Sequence, residues 1–362
     1  MITIAHPLLG IGEKEAILRV LDSQQLAQDK QVEAFEQRFA ELCQVQEAVA
    51  VSSGTAALHL ALLAHDIGPG DEVITTPFSF AATANVILLV GATPVFVDIE
   101  PDTYTLDPEL VEAAITPRTK AILPVHLYGH PCNMERLERI AASHRLIIIE
   151  DACQAHAASI EGKPVGSFGT GAFSFYATKN MTTGEGGMVT TNVPVIAERV
   201  RCLRNHGQRE RYVHTGLGYN LRMTEIQAAI GLVQAKKLLQ LTQQRIANAS
   251  FLTENLKEYV QTPIVRTGYS HVYHQYTIRA AKNRDGWVAR LRYHGVGAAV
   301  HYPLAIHQQP WYVEHADTFR IGSKELSVAE TAAQQVLSLP VHPALSKEDL
   351  MTIVREVRAL CV

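Results

Sequence analysis

The fold is decided by the stretch GTGAFSFYATKNMTTGEGGM, residues 169–188, which combines a strand, a lysine and a glycine-rich turn. The apolar pair Ala172 and Phe173 predicts the strand, Lys179 follows it, and glycines dominate residues 184–187. An isolated lysine is most often an exposed loop residue. The strand before Lys179 and the glycines after it favour a lysine held at the end of a buried strand.

A second stretch, LIIIEDACQAH at residues 146–156, places an acid at the same edge. Its apolar run predicts a buried strand that ends on Glu150 and Asp151. Because α/β proteins place their sites at the carboxyl ends of parallel strands, we expect Asp151 and Lys179 to lie close together. We predict that Lys179 binds pyridoxal phosphate (PLP) as a Schiff base and that Asp151 binds the ring nitrogen. A helix N-cap is the alternative role for Asp151.

The phosphate of such a cofactor needs backbone N–H groups and hydroxyls at the start of a helix. Gly54, Thr55 and Ala56 lie where the predicted strand of residues 47–51 turns into a helix, and they are candidates for this site. Ser174 is a candidate to add a hydroxyl.

Three further residues follow predicted strands and are candidates for contacts at the same edge. Phe80 is a candidate to stack on the cofactor ring, with a core position as the equal alternative. Gln154 and His156 are candidates to contact the cofactor oxygen or the substrate. For His156, a histidine packed in the core is the alternative.

Strand and helix alternate through the first half of the chain, which predicts an α/β fold with a mainly parallel sheet flanked by helices. Residues 224–260 form a long helical pattern that we expect to be broken or bent and to join two domains. The remaining residues mix strands and helices. We therefore predict a large domain over residues 1–240 and a smaller α+β C-terminal domain over residues 241–362.

Composition excludes several classes of protein. The 362 residues are 47% hydrophobic and 19% charged, as in a globular enzyme, and a net charge of −4 argues against nucleic-acid binding. No apolar run reaches about 18 residues, so no membrane span is expected. The five cysteines are scattered without a CxxC pair, which predicts no metal site and fits a reducing cytoplasm.

The segment RNHGQRERYVHTGLGYN, residues 204–220, is rich in cations. Fixed arginines beside the site suit a diphosphate, because the guanidinium fork matches phosphate oxygens. A solvated basic loop is the alternative. The clustered residues are Arg204, His206, Arg209, Arg211 and His214.

Together these motifs resemble the DegT/DnrJ/EryC1/StrS family of sugar aminotransferases. The resemblance covers nearly the whole chain and implies the PLP-dependent transferase fold type I. The motifs that carry it are SGTAALHLAL, GDEVITTPFSFAATANVILLVGATPVFVDI, AILPVHLYGHPCNM, IIIEDACQAHAA, FSFYATKNMTTGEGGMV, RNHG, GYNLRMTEIQAAIG, HVYHQYTIR, HYPLAIHQQP and LPVHP.

The resemblance also implies residue roles. The matching lysine, Lys179, binds PLP, and the matching acid, Asp151, binds the pyridine nitrogen with Gln154 beside the cofactor. Phe80 covers the ring. The phosphate is bound by Thr55, Ala56 and Ser174 and by Asn220 from a partner subunit, and the residues near the substrate entrance are Tyr302 and His307.

These roles imply a homodimeric PLP-dependent aminotransferase with shared active sites. The expected reaction transfers an amino group from glutamate to a nucleotide-linked keto-sugar, either 4-keto-6-deoxy or 3-keto. Some family members replace the lysine by histidine and are dehydratases, so Lys179 favours transamination. Two alternatives remain: an aminotransferase for an amino-cyclitol ketone, and a non-catalytic regulator on the same fold.

Overall fold

The computed structural model of the chain describes residues 1–361, which form fifteen strands and twelve α-helices. The strands are β1 (Glu47–Val51), β2 (Glu72–Thr75), β3 (Thr93–Phe96), β4 (Thr119–Leu123), β5 (Ile147–Asp151), β6 (Ser159–Ile160), β7 (Lys163–Pro164), β8 (Thr170–Ser174), β9 (Gly187–Thr191), β10 (Gln208–Glu210), β11 (Val213–His214), β12 (Tyr269–Ser270), β13 (Tyr276–Arg279), β14 (Arg320–Ile321) and β15 (Val336–Leu339). The helices are α1 (Ile11–Ser23), α2 (Lys30–Cys43), α3 (Gly54–Ala64), α4 (Ala82–Leu89), α5 (Pro108–Ala114), α6 (Met134–His144), α7 (Pro194–Leu203), α8 (Glu225–Leu256), α9 (Arg284–Tyr293), α10 (Pro310–Glu314), α11 (Ser327–Gln335) and α12 (Lys347–Arg358).

Eight strands form the main sheet, in the order β1-β9-β8-β5-β4-β2-β3-β14. The six strands from β8 to β14 pair in parallel, whereas β9 is antiparallel to both β8 and β1. This confirms the predicted α/β class with a mainly parallel sheet. The strands read as nearly continuous apolar runs because helices cover both faces of the sheet.

Alternation along the strands builds one core on each face of the sheet. In β1, Val49 and Val51 pack into the core that contains α3 and α7, whereas Ala48 and Ala50 face α2 and the start of α8. Further along the sheet, the second face is covered by α5 and α6. The sheet is therefore held rigidly between two helical layers, and the ends of its strands are fixed in place.

The long helix α8 is continuous over 32 residues, so a break is wrong, while the predicted alternative of a bend stays a prediction. Thr224 caps the start of α8, because its hydroxyl accepts a hydrogen bond from the N–H of Gln227. The helix is continuous because both halves are packed. Its first half contacts α1 and α2, and Ala249, Leu252 and Leu256 enter a third core in the C-terminal part.

The predicted domain boundary at residue 240 lies inside α8 and stays a prediction. Two contacts run across it. Ile2 bridges to Val296 and packs on the third core, and β14 adds an edge strand to the main sheet beside β3. The C-terminal part therefore contributes directly to the main sheet, which its sequence pattern did not indicate.

Over residues 1–361, none of the helices is both long and apolar enough to cross a membrane. The same residues include no cluster of histidine, cysteine and acidic side chains suited to hold a metal ion.

Candidate active site

A cavity of about 600 Å³ opens at the carboxyl end of the main sheet. Asp151 ends β5 and Ser174 ends β8, so the parallel strands bring both side chains to this edge as predicted. The residues that line the cavity are Ser53, Gly54, Thr55, Leu58, Ser79, Phe80, Ala82, Thr83, Asp151, Cys153, Gln154, Ser174, Tyr176, Thr178, Lys179, Glu185, His274, Gln275, His301 and Tyr302.

The N-terminus of α3 forms one wall of the cavity. Ser53 caps the helix by accepting a hydrogen bond from the N–H of Ala56 at 3.1 Å. The N–H groups of Gly54 and Thr55 have no hydrogen-bond partner within the described chain, and the positive end of the helix dipole adds to their attraction for an anion. This wall can bind a phosphate through Gly54 and Thr55, whereas the predicted contact from the N–H of Ala56 is already taken by Ser53.

Gly54 is required at this position by the close packing of two strand ends. A Cβ atom there would lie 2.6 Å from the Cβ atom of Ser174 and 2.9 Å from the Sγ atom of Cys153. Real Cβ atoms do not approach other atoms so closely, so a larger residue would push the start of α3 away from Ser174. Glycine thus lets the helix N-terminus and the hydroxyl of Ser174 share one small region.

Asp151 is a buried carboxylate with an incomplete set of partners. Its Oδ2 atom accepts a hydrogen bond from the hydroxyl of Thr83 at 2.8 Å, and its Oδ1 atom accepts one from the N–H of Cys153 at 3.2 Å. Among the described residues, no cation lies within ion-pair distance of Asp151. A buried carboxylate is stabilised by a positively charged donor, so Asp151 can hold a protonated ring nitrogen in the cavity.

Lys179 reaches the same cavity from the segment that follows β8. Burial lowers the pKa of its amine below the ordinary value, while the nearby Cys153 and Asp151 act in the opposite direction. The backbone holds the residue in a turn, because its N–H donates to the carbonyl of Tyr176 at 2.9 Å. A lowered pKa favours the neutral amine, which is the form that attacks carbonyl groups and accepts protons.

Gln154 links the cavity wall to the C-terminal part of the chain. Its Oε1 atom accepts a hydrogen bond from the N–H of Tyr128 at 2.9 Å, and its amide nitrogen donates to the hydroxyl of Tyr302 at 3.2 Å. The ring of Tyr302 lies 6.1 Å from that of Phe80, which is 61% exposed. Phe80 is therefore free to cover a flat ligand at the mouth, and it is not a core residue.

Two histidines on the cavity wall were not predicted from the sequence. His274 and His301 come from the C-terminal part, and both lie beside Lys179. Burial is the main cause that lowers the pKa of both histidines, and the charge of Lys179 adds to it. The pKa of His274 lies well below its usual range, and that of His301 is lowered to about 4. Their signal was present in the motifs HVYHQYTIR and HYPLAIHQQP, in which we singled out only Tyr302 and His307.

Two of the predicted substrate residues lie away from the cavity, inside the protein. His156 is fully buried, and its ring contacts Phe39, Phe173 and Phe175. This is the packed position that was its alternative. His307 hydrogen-bonds to Glu330 at 2.9 Å and is not among the residues that line the cavity.

Two other predicted residues lie away from the cavity of their own chain. Arg211 is on the exposed hairpin of β10 and β11, and Asn220 is at the base of that hairpin. Arg204 is not part of the predicted exposed cluster of cations. It is buried just after the end of α7, where it pairs with Glu36 of α2 and donates to the carbonyl of Ala50 in β1.

The residues of the cavity fit PLP. Two free N–H groups and the Ser174 hydroxyl suit its phosphate, Asp151 suits the ring nitrogen, and Lys179 suits the aldehyde. The observation that carries this fit is that the buried carboxylate of Asp151 has no cation within ion-pair distance among the described residues, because a protonated pyridine nitrogen supplies that partner.

Comparison with known proteins agrees with this geometry. A family model described as "DegT/DnrJ/EryC1/StrS aminotransferase family" matches residues 9–358. The chain is 44% identical to a "pleiotropic regulatory protein" of Geobacillus stearothermophilus, with 97% of each chain covered. It is 43% identical to the UDP-N-acetyl-3-dehydro-alpha-D-glucosamine 3-aminotransferase of Acidithiobacillus ferrooxidans, which covers 97% of this chain and 92% of that protein.

A solved structure is also similar. The crystal structure of S. venezuelae DesV in complex with a ketimine intermediate superimposes with a TM-score of 0.92 at 40% identity, covering 96% of this chain and 94% of that one.

Proposed function

Because the chain belongs to the DegT/DnrJ/EryC1/StrS aminotransferase family, we propose that it is a PLP-dependent enzyme that transfers an amino group from glutamate to a nucleotide-linked keto-sugar. The single observation that carries this proposal is the meeting of Lys179 and Asp151 in one cavity beside the N-terminus of α3. A carbonyl-binding amine, a partner for a ring nitrogen and an anion site are the three groups that PLP requires.

The chain's own residues divide the chemistry between them. When bound, PLP supplies an electron sink for the carbanion that forms next to the amino group. Asp151 keeps the proton on the ring nitrogen, and the hydroxyl of Thr83 fixes the carboxylate for that task. Lys179 would act as the base in the 1,3-proton shift of transamination, and the lowering of its pKa by burial favours the neutral amine that this role needs. Phe80 covers the ring and excludes water.

The acceptor proposed here is a keto-sugar joined to a nucleotide diphosphate, of the 3-keto or the 4-keto-6-deoxy type. Support comes from the relative in Acidithiobacillus ferrooxidans, whose name states a UDP-linked 3-keto sugar substrate. Among the described residues that line the cavity, Lys179 is the only lysine or arginine. The diphosphate would therefore need a cation from elsewhere. Arg211 on the exposed hairpin is suited to supply it, whereas Arg209 already pairs with Glu198.

A second copy of the chain would bring that hairpin to the cavity, which is the basis for proposing a homodimer with shared active sites. Tyr212 and Leu217 on the hairpin are 77% and 94% exposed, and Phe80, which lines the cavity, is 61% exposed. Large apolar side chains that are exposed in a single chain are typical of an interface. In the dimer, Asn220 of one chain would contact the phosphate bound to the other.

Mixed dimers test the shared site. Lys179→Ala and Asn220→Ala variants should each be weak alone. After subunit exchange, some dimers contain one site with both an intact lysine and an intact asparagine from the other chain, so activity should partly return. If each site were built from one chain, mixing would restore nothing.

The enzyme function is tested first by absorption spectra. The purified protein should be yellow, and glutamate should bleach it, because the amino group then leaves the donor for the cofactor. Borohydride reduction before bleaching should leave the pyridoxyl group on Lys179, and a label on Lys120 or Lys163 would contradict the assignment. A panel of UDP-, dTDP- and GDP-linked 3-keto and 4-keto sugars should then restore the colour.

Two alternatives give different results in the same assay. An amino-cyclitol enzyme would regain its colour with a free cyclitol ketone and not with any nucleotide-linked sugar. A non-catalytic regulator, suggested by the name of the Geobacillus relative, would bind PLP without any bleaching by glutamate. Lys179 and Asp151 in the cavity favour catalysis over this alternative.

A further inference from the structure

The base of the hairpin is a rigid platform for Asn220. Asn205 and Asn220 face each other as an antiparallel bridge between the two arms, and the flanking backbone hydrogen bonds are 2.8 and 2.9 Å long. A Cβ atom at Gly218 would lie 1.8 Å from the nitrogen of Gly207, so the two arms touch directly at these glycines. The backbone of Asn220 therefore has little freedom to move.

The side chain of Asn220 is fixed by Arg222. The Nε atom of Arg222 donates to Oδ1 of Asn220 at 3.2 Å, and its Nη1 atom donates to Oδ1 of Asn205 at 2.9 Å. A guanidinium has only donors, so an asparagine beside it must present its oxygen. The NH₂ group of Asn220 consequently points away from Arg222, and in the described chain it has no acceptor.

Arg222 also keeps its positive charge available. Its hydrogen bonds in the described chain go to the two amide oxygens of Asn205 and Asn220. It forms no ion pair with a carboxylate of residues 1–361. Arg204, close by, is different because Glu36 neutralises it. A cation that donates to the oxygen of an amide polarises that amide and makes its NH₂ group a stronger donor, so the outward NH₂ group of Asn220 favours an anion as its acceptor.

We propose that Arg222 is a positioning residue, which orients the Asn220 amide so that its NH₂ group donates to the cofactor phosphate in the site of a second copy of the chain. This inference rests on the proposed homodimer with shared sites and adds a residue that acts through Asn220. Asn205 helps to hold Arg222 in this position, because its Oδ1 atom accepts the hydrogen bond from Nη1 of the guanidinium group.

The test compares PLP with pyridoxal, which has the same aldehyde and ring but no phosphate. The dissociation constants of both are measured for the apo-enzyme by fluorescence titration, in wild type, Arg222→Gln, Asn220→Ala and the double variant. Because a hydrogen bond to a charged group is lost, Arg222→Gln should weaken PLP about tenfold or more and leave pyridoxal unchanged. Arg199→Gln is the matched control, since that arginine pairs with Asp66 and should leave both constants unchanged.

The double variant separates positioning from a direct effect. If Arg222 acts through Asn220, Arg222→Gln should cost nothing further in the Asn220→Ala background. Full additivity, or equal weakening of PLP and pyridoxal by Arg222→Gln, would overturn the inference. If Arg222→Gln does not fold, Arg222→Lys replaces it. Lysine lacks the fork that reaches both amide oxygens, so the preference for PLP should still fall, and an unchanged preference would overturn the inference.

If the proposed homodimer with shared sites is wrong, the measurements differ from those expected if only the role of Arg222 is wrong. Light scattering of each variant reports the mass in solution. An active monomer, or an Asn220→Ala dimer with unchanged preference for PLP, would contradict the shared site itself. A dimer in which Asn220→Ala weakens PLP but Arg222→Gln does not would contradict only the positioning role.

Discussion

Replacing the buried His156 by leucine should make the protein less sensitive to acid. The imidazole is fully buried among Phe39, Phe173 and Phe175, and neither ring nitrogen has a partner in the described chain. Burial, helped by the nearby charge of Lys179, lowers its pKa to about 3 from an ordinary value of 6.5. The folded protein therefore keeps this histidine neutral at pH values where the unfolded chain protonates it.

The sign and size of the effect follow from this difference. Below pH 6.5 the unfolded state binds one more proton than the folded state at His156, so stability falls as the pH drops from 6.5 towards 3. The difference of 3.5 units between these pKa values corresponds to a loss of about 5 kcal/mol at the acid limit. Between about pH 7.5 and about pH 5 the loss from this residue is about 2 kcal/mol.

Urea unfolding of the apo-enzyme at these two pH values measures the effect. His156→Leu should lose about 2 kcal/mol less stability than wild type on going to the lower pH. At the higher pH the two should differ by less than about 1.5 kcal/mol, since leucine has a similar volume. His6→Leu is the control, because that side chain is exposed and forms no ion pair among the described residues, so the variant should behave like wild type. Equal acid sensitivity of wild type and His156→Leu would refute the reasoning.

Three further changes test the site. Asp151→Asn should still bind PLP but lose about 100-fold or more in turnover, and near wild-type kcat in a folded variant would count against its role. Gly54→Ala should weaken PLP binding in a titration about tenfold or more, because the new Cβ atom would lie 2.6 Å from Ser174. Gly68→Ala is the control and should leave PLP binding unchanged, because its new Cβ atom would have its nearest contact at 3.7 Å. Arg211→Ala should raise KM for the sugar nucleotide more than for glutamate, and equal kcat/KM of wild type for free and nucleotide-linked sugar would exclude the diphosphate contact.

The centre of the site could be predicted from the sequence because local pattern and sheet geometry determine it. Asp151 and Ser174 end buried parallel strands, and Lys179 follows the second of them, so one sheet edge collects all three. Gly54 follows another strand and begins a helix with Ser53 as its cap. Each of these positions can be read from a local strand or helix pattern together with the rule that sites lie at the carboxyl ends of parallel strands.

The rest of the site depends on long-range packing, which a single sequence does not reveal. His274 and His301 reach the cavity only because the C-terminal part folds back on the sheet, and β14 anchors that part beside β3. The burial of Arg204 depends on Glu36, which is 168 residues away in the chain. The continuity of α8 has the same origin, since cores from both parts of the chain cover it.

The most direct test of the proposed function follows the donor nitrogen. Glutamate labelled with the heavy isotope of nitrogen is incubated with the enzyme and with the nucleotide-linked keto-sugar that restores its colour, and the product is analysed by mass spectrometry. The label should appear in the amine of the nucleotide-linked sugar, with one 2-oxoglutarate formed for each amine, and Lys179→Ala should give none. An unlabelled amine, or labelled product from Lys179→Ala at the wild-type rate, would contradict transamination at this site.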